Sequence, residues 1–240
     1  MSMHILITND DGLQAEGLTI LTQWAQKLGK VTVIAPVHQQ SGTSHSINFH
    51  TPYSVEQVPF LSGVDAYAVD STPADCIRIG FGLLHIPCEL VLSGINSGIN
   101  VGVDTLYSGT SAAAAEAITF GCAGIAISTF PDSIREAANS LDSLWEFFKE
   151  KKLLERHPLY NVNIARDAKG IVFTRFGDAY IRDRFIDKGN HLFMADGYSV
   201  YQPGEQIEDD LHAVMNQYTS ISPMTIDKTD YTILNELQRQ

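Results

Sequence analysis

Six short apolar runs, at residues 5–7, 31–35, 67–69, 90–92, 124–128 and 160–164, are separated by stretches in which apolar residues recur at helical spacing, at 17–27, 75–84, 111–120 and 133–149. Runs that stay apolar instead of alternating with polar residues belong to strands covered on both faces, and strands alternating with helices make βαβ units. The pattern predicts an α/β fold: a Rossmann-like, mostly parallel sheet with helices on both faces.

The alternation lapses beyond about residue 165. Gly170-Ile171-Val172-Phe173-Thr174 and His191-Leu192-Phe193-Met194 flank a charged, aromatic stretch, which reads as a β-hairpin extension over about 170–194. An isolated hairpin is marginal in water. Its apolar positions, Ile171, Phe173, Phe185, Ile186, Leu192 and Phe193, therefore predict a second subunit, at least a homodimer and by extension a homotetramer. The tail adds a helix over 209–217, a strand over 218–221 and a last helix over 230–237. With 240 residues and 44% hydrophobic content, the chain reads as a single domain, 1–240, with its core over about 1–165 and the oligomerisation hairpin and C-terminal elements over about 166–240.

Composition narrows the partners. A net charge of −12 works against binding duplex nucleic acid, which needs clustered Lys and Arg. Small anions are still accessible through backbone N–H groups, helix N-termini or a metal ion. Cys76, Cys88 and Cys122 are widely spaced, with no C-x-x-C pair, so they indicate neither a disulfide framework nor a zinc site and read as small core residues. The start of the chain carries no leader pattern and no stretch has the length of a membrane span, so the expected compartment is the cytoplasm, with no membrane partner.

The chemistry gathers in four loops. Asn9-Asp10-Asp11-Gly12 directly follows the first run and sets two adjacent carboxylates at the carboxyl end of a strand, where open α/β sheets carry their sites. Adjacent carboxylates repel each other, and a hard divalent cation relieves the repulsion, although Asp-Asp-Gly alone is also ordinary turn chemistry. Gln39-Gln40-Ser41-Gly42-Thr43-Ser44 and Ser93-Gly94-Ile95-Asn96-Ser97-Gly98 follow apolar runs in the same way, and Tyr107-Ser108-Gly109-Thr110-Ser111 precedes an alanine-rich helix. A parallel sheet brings such loops to one edge. Asp10, Asp11, the Ser41 hydroxyl and the Asn96 amide carbonyl form an all-oxygen set suited to Mg²⁺, Mn²⁺ or Ca²⁺ and poorly suited to zinc. The helix opened by Ser108-Gly109-Thr110 offers unpaired N–H groups to a phosphate, unless it is simply capped by Ser or Thr. No G-x-G-x-x-G follows a strand and no Walker lysine is present, which argues against a nicotinamide cofactor. His45 and His212 are the two histidines placed to act as acid or base.

Asn9-Asp10-Asp11-Gly12, Gln40-Ser41-Gly42, Thr72-Pro73-Ala74-Asp75-Cys76, Ser93-Gly94-Ile95-Asn96 and Tyr107-Ser108-Gly109-Thr110 resemble, in this order and at similar separations, the SurE family of metal-dependent acid phosphatases and nucleotidases. The resemblance continues through Asn161-Val162-Asn163-Ile164, Asp210-Leu211-His212-Ala213-Val214 and Tyr218-Thr219-Ser220-Ile221-Ser222-Pro223. It implies a Rossmann-like core with a subunit-swapping extension, and hydrolysis of nucleoside 5′- and 3′-monophosphates, with short polyphosphate as a further substrate. It also implies one divalent ion per subunit, Mg²⁺ or Mn²⁺, on Asp10, Asp11, Ser41 and Asn96, with Asp10 and Asp11 catalytic and the phosphate near Asn9, Ser108, Gly109 and Thr110. Two departures stand out: Ser71 in place of the usual Gly before Thr-Pro-Ala-Asp, and Val37-His38 in place of Asp-Arg. The residues leave two alternatives open, a phosphatase in which Asp10 is a covalent nucleophile and a receiver-like module that accepts one phosphoryl group and signals.

Overall fold

The computed structural model describes residues 3–239, so Met1, Ser2 and Gln240 of the expected 1–240 span lie outside the described residues. In chain order the elements are β1 (Met3–Thr8), α1 (Glu16–Ala25), β2 (Gly29–Pro36), β3 (Val55–Gln57), β4 (Asp65–Val69), α2 (Pro73–Gly82) and β5 (Leu90–Ser97). A short 3₁₀ helix (Gly102–Tyr107), α3 (Gly109–Thr119), β6 (Ala123–Thr129), α4 (Ile134–Glu150), α5 (Leu153–Arg156) and β7 (Leu159–Ile164) complete the first part. Then come β8 (Gly170–Phe173), β9 (Ile181–Asp187), β10 (Phe193–Ser199), α6 (Asp210–Met215), β11 (Tyr218–Pro223) and α7 (Tyr231–Leu237).

Nine strands form one sheet in the order β3-β4-β2-β1-β5-β6-β7-β11-β8, parallel except where β3 meets β4 and β11 meets β7. The expected mostly parallel α/β sheet is what the chain adopts. Central β1 shows why its run is unbroken: Ile5 and Ile7 pack with Leu18, Leu21 and Leu141 of α1 and α4, while Leu6 packs on the other face with Ile77 of α2 and Ala113 and Ala117 of α3. Successive side chains point to opposite faces, and both faces are covered. Helix starts are locally encoded, with Thr72 capping α2 through the Asp75 N–H, Ser108 capping α3 through the Ser111 N–H, and Pro73 in the first turn of α2.

Three features differ from expectation. Gly170–Phe173 does not belong to the hairpin; it is β8, an edge strand pairing in parallel with β11, where Ile171 packs against the main core. The hairpin is β9 with β10, a separate two-stranded ribbon in which Phe193 pairs with Asp187 and Ser199 with Ile181. Second, Ser93-Gly94-Ile95-Asn96 lies inside β5, not in a loop after it. Between Ser93↔Ala126 and Asn96↔Ser128, β5 carries one residue more than β6, and this bulge re-aims Asn96 at the carboxyl edge. Third, Cys88 and Cys122, far apart in sequence, meet as free thiols with sulfurs 3.2 Å apart, since the segments before β5 and β6 run side by side.

Close approach of helix and sheet is bought with glycine at Gly17, where a Cβ would sit 2.0 Å from the Ile95 carbonyl oxygen. Gly17→Ala should therefore cost about 1–3 kcal/mol by urea denaturation, as overpacking of backbone against backbone does. Gly82→Ala is the contrast, because nothing lies within 4 Å of the added carbon at the end of α2. It should be neutral or stabilise by about 0.5–1 kcal/mol. Equal effects of the two substitutions would overturn this reading of Gly17.

Candidate active site

The carboxyl ends of β1 and β5, the loop after β2 and the start of α3 enclose a polar pocket of about 180 Å³. Asp10, Asp11, Ser41, Asn96 and Ser108 line it, so the four loops singled out from sequence do meet in space. Asn9, Gly109 and Thr110 do not line the pocket and lie behind it.

Asp10 is the buried member of the pair, and Thr110, fully buried, donates its hydroxyl to Asp10 Oδ1 at 2.5 Å. Burial drives the Asp10 carboxyl up to about 6 against the opposing pull of the Thr110 hydroxyl, and the neighbouring Asp11 charge pushes it further up. Gly109 packs directly behind it, where a Cβ would stand 2.9 Å from Asp10 Cβ, so a side chain there would displace the carboxylate. The first turn of α3 thus serves Asp10 before it serves any ligand. Of the three phosphate candidates in that turn only Ser108 reaches the pocket, with its own hydroxyl accepting the Ser111 N–H. Asn9 is fully buried; its Nδ2 donates to the Gly12 carbonyl at 2.9 Å, and its Oδ1 has no donor among the described residues.

Asp11 is half-buried and anchored mainly through Oδ2, which accepts the Ser97 N–H at 2.8 Å. Gln39 bridges the first and second loops, its Nε2 donating to Ser41 Oγ at 3.0 Å and lying 3.4 Å from Asp11 Oδ1. Asn96 Nδ2 donates to the Gly98 carbonyl at 2.7 Å, and its Oδ1 meets no donor among the described residues. Asn100 and Asp104, which were not singled out from sequence, also line the pocket, together with Tyr107, which opens the fourth loop. Asn100 lies on the loop and Asp104 in the short 3₁₀ helix between β5 and α3, and no periodicity marks them. One signal was legible: Asn161 and Asn163, polar residues in an apolar strand, both donate to the Asn100 carbonyl at 2.8 Å.

The donor set fits a hard divalent cation. Two carboxylates, a hydroxyl and an amide oxygen converge, the buried carboxylate is pushed toward neutrality, and no Lys or Arg lines the pocket. No group of three or more His, Cys, Asp or Glu that could hold a metal occurs among the described residues, so neutral oxygens have to complete any coordination shell. A soft or zinc-type site is not built here.

The remaining candidates lie elsewhere. His45 pairs with Glu116 at 2.8 Å, and Arg78 reaches the same carboxylate at 3.2 Å. His212 bonds Asp209, its own helix cap, at 2.8 Å. Neither histidine lines the pocket. Ser71 is not among the residues with left-handed backbone; its hydroxyl donates to Asp75 Oδ2 at 2.5 Å and ties the loop to α2. The lysine that a receiver-like module needs is missing from the lining, and Asp10, hemmed in by Thr110 and Gly109, has little freedom to attack phosphorus.

Comparison with known proteins places this geometry. The family model described as Survival protein SurE matches residues 5–183. The chain is 35% identical over 253 aligned positions to the 5′-nucleotidase SurE of Clostridium beijerinckii, covering 99% of this chain and 98% of that one. A 5′-nucleotidase SurE of Clostridium botulinum is likewise 35% identical, with 99% and 98% covered. The crystal structure of a SurE protein from Aquifex aeolicus superposes with a TM-score of 0.77 at 29% identity, covering 98% of each chain.

The electrostatics of Asp10 make a stability prediction. A carboxyl whose folded pKa is raised costs stability once it ionises, so the penalty grows as pH rises from about 4 to about 6 and is complete above that. Asp10→Asn cannot ionise and keeps an oxygen for Thr110. In EDTA above about pH 7 it should be more stable than the parent chain by about 2–3 kcal/mol, with the gap closing near pH 4. No gain at the higher pH, or a gain that persists at the lower, would contradict the assignment.

Proposed function

The chain belongs to the SurE family, and from that footing we propose that it is a cytoplasmic, divalent-metal-dependent phosphomonoesterase. Its substrates are nucleoside 5′- and 3′-monophosphates, cleaved to nucleoside and phosphate, and short polyphosphate. Support comes from the 5′-nucleotidase name that both clostridial relatives carry. The observation that carries the reading is the convergence of Asp10, Asp11, Ser41 and Asn96 on one pocket beside the N-terminus of α3.

One Mg²⁺ or Mn²⁺ per subunit would be held by those four residues, and when bound it supplies positive charge to a phosphoryl oxygen and makes a water more acidic. The protein does the positioning. Thr110 holds Asp10 by Oδ1 and the Ser97 amide holds Asp11 by Oδ2, so Asp10 Oδ2 and Asp11 Oδ1, the latter met only by the long 3.4 Å contact from Gln39, are the carboxylate oxygens that face the chemistry. Asp11 is the more open of the two, and its Oδ1 accepts the proton of the attacking water as that water bonds to phosphorus. The ester bond breaks on the opposite side, and the departing nucleoside oxygen is protonated from solvent. Ser108, at the positive end of α3, lies against the phosphate.

The β9–β10 ribbon supports a homodimer or homotetramer. Phe185, Ile186, Leu192, Phe193 and Met194 are all exposed on it, more apolar surface than a free ribbon keeps in water.

Phosphate release from nucleoside monophosphates should vanish after exhaustive EDTA treatment and return with Mg²⁺ or Mn²⁺. Asp11→Asn should lower turnover at least about a hundredfold with an unchanged circular dichroism spectrum. Full activity in chelator, or in Asp11→Asn, would sink the proposal. Light scattering at micromolar concentration should give at least a dimer, and Phe185→Asp combined with Phe193→Asp should shift the mass toward monomer; a folded parent monomer would count against the ribbon as an interface.

A further inference from the structure

At the amino ends of β5 and β6, the edge of the sheet opposite the pocket, Cys88 and Cys122 are free thiols whose sulfurs stand 3.2 Å apart. The register that pairs Leu90 with Ala123 sets the two cysteines one residue out of step. Neighbouring strands lie about 4.8 Å apart and rise about 3.3 Å per residue, so that offset corresponds to α-carbons about 6 Å apart, the usual span of a disulfide. Both backbones are pinned. The Glu89 N–H donates to the His4 carbonyl at 3.0 Å, and the Cys122 N–H donates to the Ala117 carbonyl at 3.1 Å. The sulfurs therefore meet because of the sheet and the turn that ends α3, and joining them takes side-chain movement of about an ångström. Access divides the pair. Cys88 is partly exposed, between exposed Pro87 and Glu89, whereas Cys122 is 3% exposed. A hydrogen bond from the Cys122 thiol holds Cys88 below the ordinary thiol range against the effect of burial, and the same contact, with burial, raises Cys122. Cys76 is the contrast, fully buried in the core with its thiol pushed up by burial. A reachable sulfur with thiolate character beside a buried partner is one that an oxidant meets first and the partner then resolves.

We propose that Cys88 and Cys122 are an oxidation site, a dithiol that a hydroperoxide converts into a reversible disulfide joining the two ends of the β5–α3–β6 crossover. The Cys88 thiolate attacks the hydroperoxide and forms an S–O bond as the O–O bond breaks, and the departing oxygen takes a proton and leaves as water or an alcohol. Cys122, giving up its proton, then bonds to the Cys88 sulfur. The S–O bond breaks, and the hydroxide that leaves takes that proton to become water. Two thiols are oxidised by two electrons in all, and one hydroperoxide is reduced. The bond links residues 34 apart in sequence, and the segment it closes holds β5, the 3₁₀ helix and α3, the elements that carry Asn96, Ser108 and Thr110. Closing that loop removes freedom from the unfolded chain, so the oxidised chain is the more stable form. Since the pocket lies at the carboxyl ends of the same strands, the bond braces its supports from behind and leaves its lining unchanged.

The test treats the folded, fully reduced chain with a small molar excess of hydrogen peroxide. Thiol titration in denaturant should then fall from three per chain to one, peptide mapping should recover Cys88 joined to Cys122, and dithiothreitol should restore all three thiols. The midpoint of thermal unfolding should rise by about 5–15 °C on oxidation and return on reduction. Cys88→Ser should show neither the bond nor the rise. In Cys122→Ala the Cys88 sulfenic acid should accumulate and be trapped by dimedone, which fixes the order of the two steps. Three thiols surviving peroxide in the parent chain would overturn the proposal. So would a bond between the Cys88 residues of two chains, or Cys88 carried to the sulfinic acid while Cys122 stays reduced. A Cys88–Cys122 bond that leaves the midpoint unmoved would overturn the bracing role.

Discussion

A carboxylate with most of its surface removed from water has to be answered by something, and the arrangement around Asp10 is the answer this fold supplies. Thr110 gives it a hydroxyl, the first turn of α3 points its positive end at it, and Gly109 yields the volume it occupies. The same residue reaches the second loop through its backbone, since its carbonyl accepts the Gln40 N–H at 2.7 Å and so places Ser41. Three segments distant in sequence are thus referenced to one residue at the end of the central strand. What is left over is negative charge that no side chain in the pocket neutralises.

The other half of the site is held by rigid scaffold. The bulge in β5 sets the direction of Asn96, and Asn161 and Asn163 of β7 clamp Asn100 through its carbonyl, so the segment entering the 3₁₀ helix has its backbone polar groups paired. Asp210 does the same one step further on, accepting the Gly102 and Gly177 N–H groups at 2.8 and 3.0 Å. Buried polar side chains that pair with loop backbone turn irregular chain into fixed geometry, which catalytic positioning requires.

How much of this could be read from residues alone divides along a physical line. Strands β1, β2 and β4 to β7, the helices α1 to α4 and the family were legible, because an unbroken apolar run or a helical period is a local property, whereas the three-residue edge strand β3 carries no such run. Asp10, Asp11, Ser41 and Asn96 were legible because strand order brings their loops to one edge. Asp104, Gln39 and Asn100 were not, since their positions depend on how irregular chain is pinned by residues far away. Thr110 was read as a phosphate contact, yet its hydroxyl turns inward to Asp10; which way a helix cap points is a matter of packing. Ile171 and Phe173 were assigned to the hairpin because an apolar tetrapeptide does not announce which sheet it joins. Cys88 and Cys122 met for the same reason, adjacency of strands that sequence spacing conceals.

The place of β11 has a consequence for how the chain is made. It lies between β7 and β8, antiparallel to the first and parallel to the second, although it is synthesised after both. Until it arrives, β7 exposes an open hydrogen-bonding edge and β8 has no strand to pair with. About 60 residues separate the end of β7 from the end of β11, several seconds of elongation at roughly 5–20 residues per second. A nascent chain on the ribosome therefore carries an unfinished sheet for that interval, and open edges recruit other strands. Stop codons between residues 165 and 217 would freeze that state, leaving the pocket residues present and the sheet that supports them permanently unsealed.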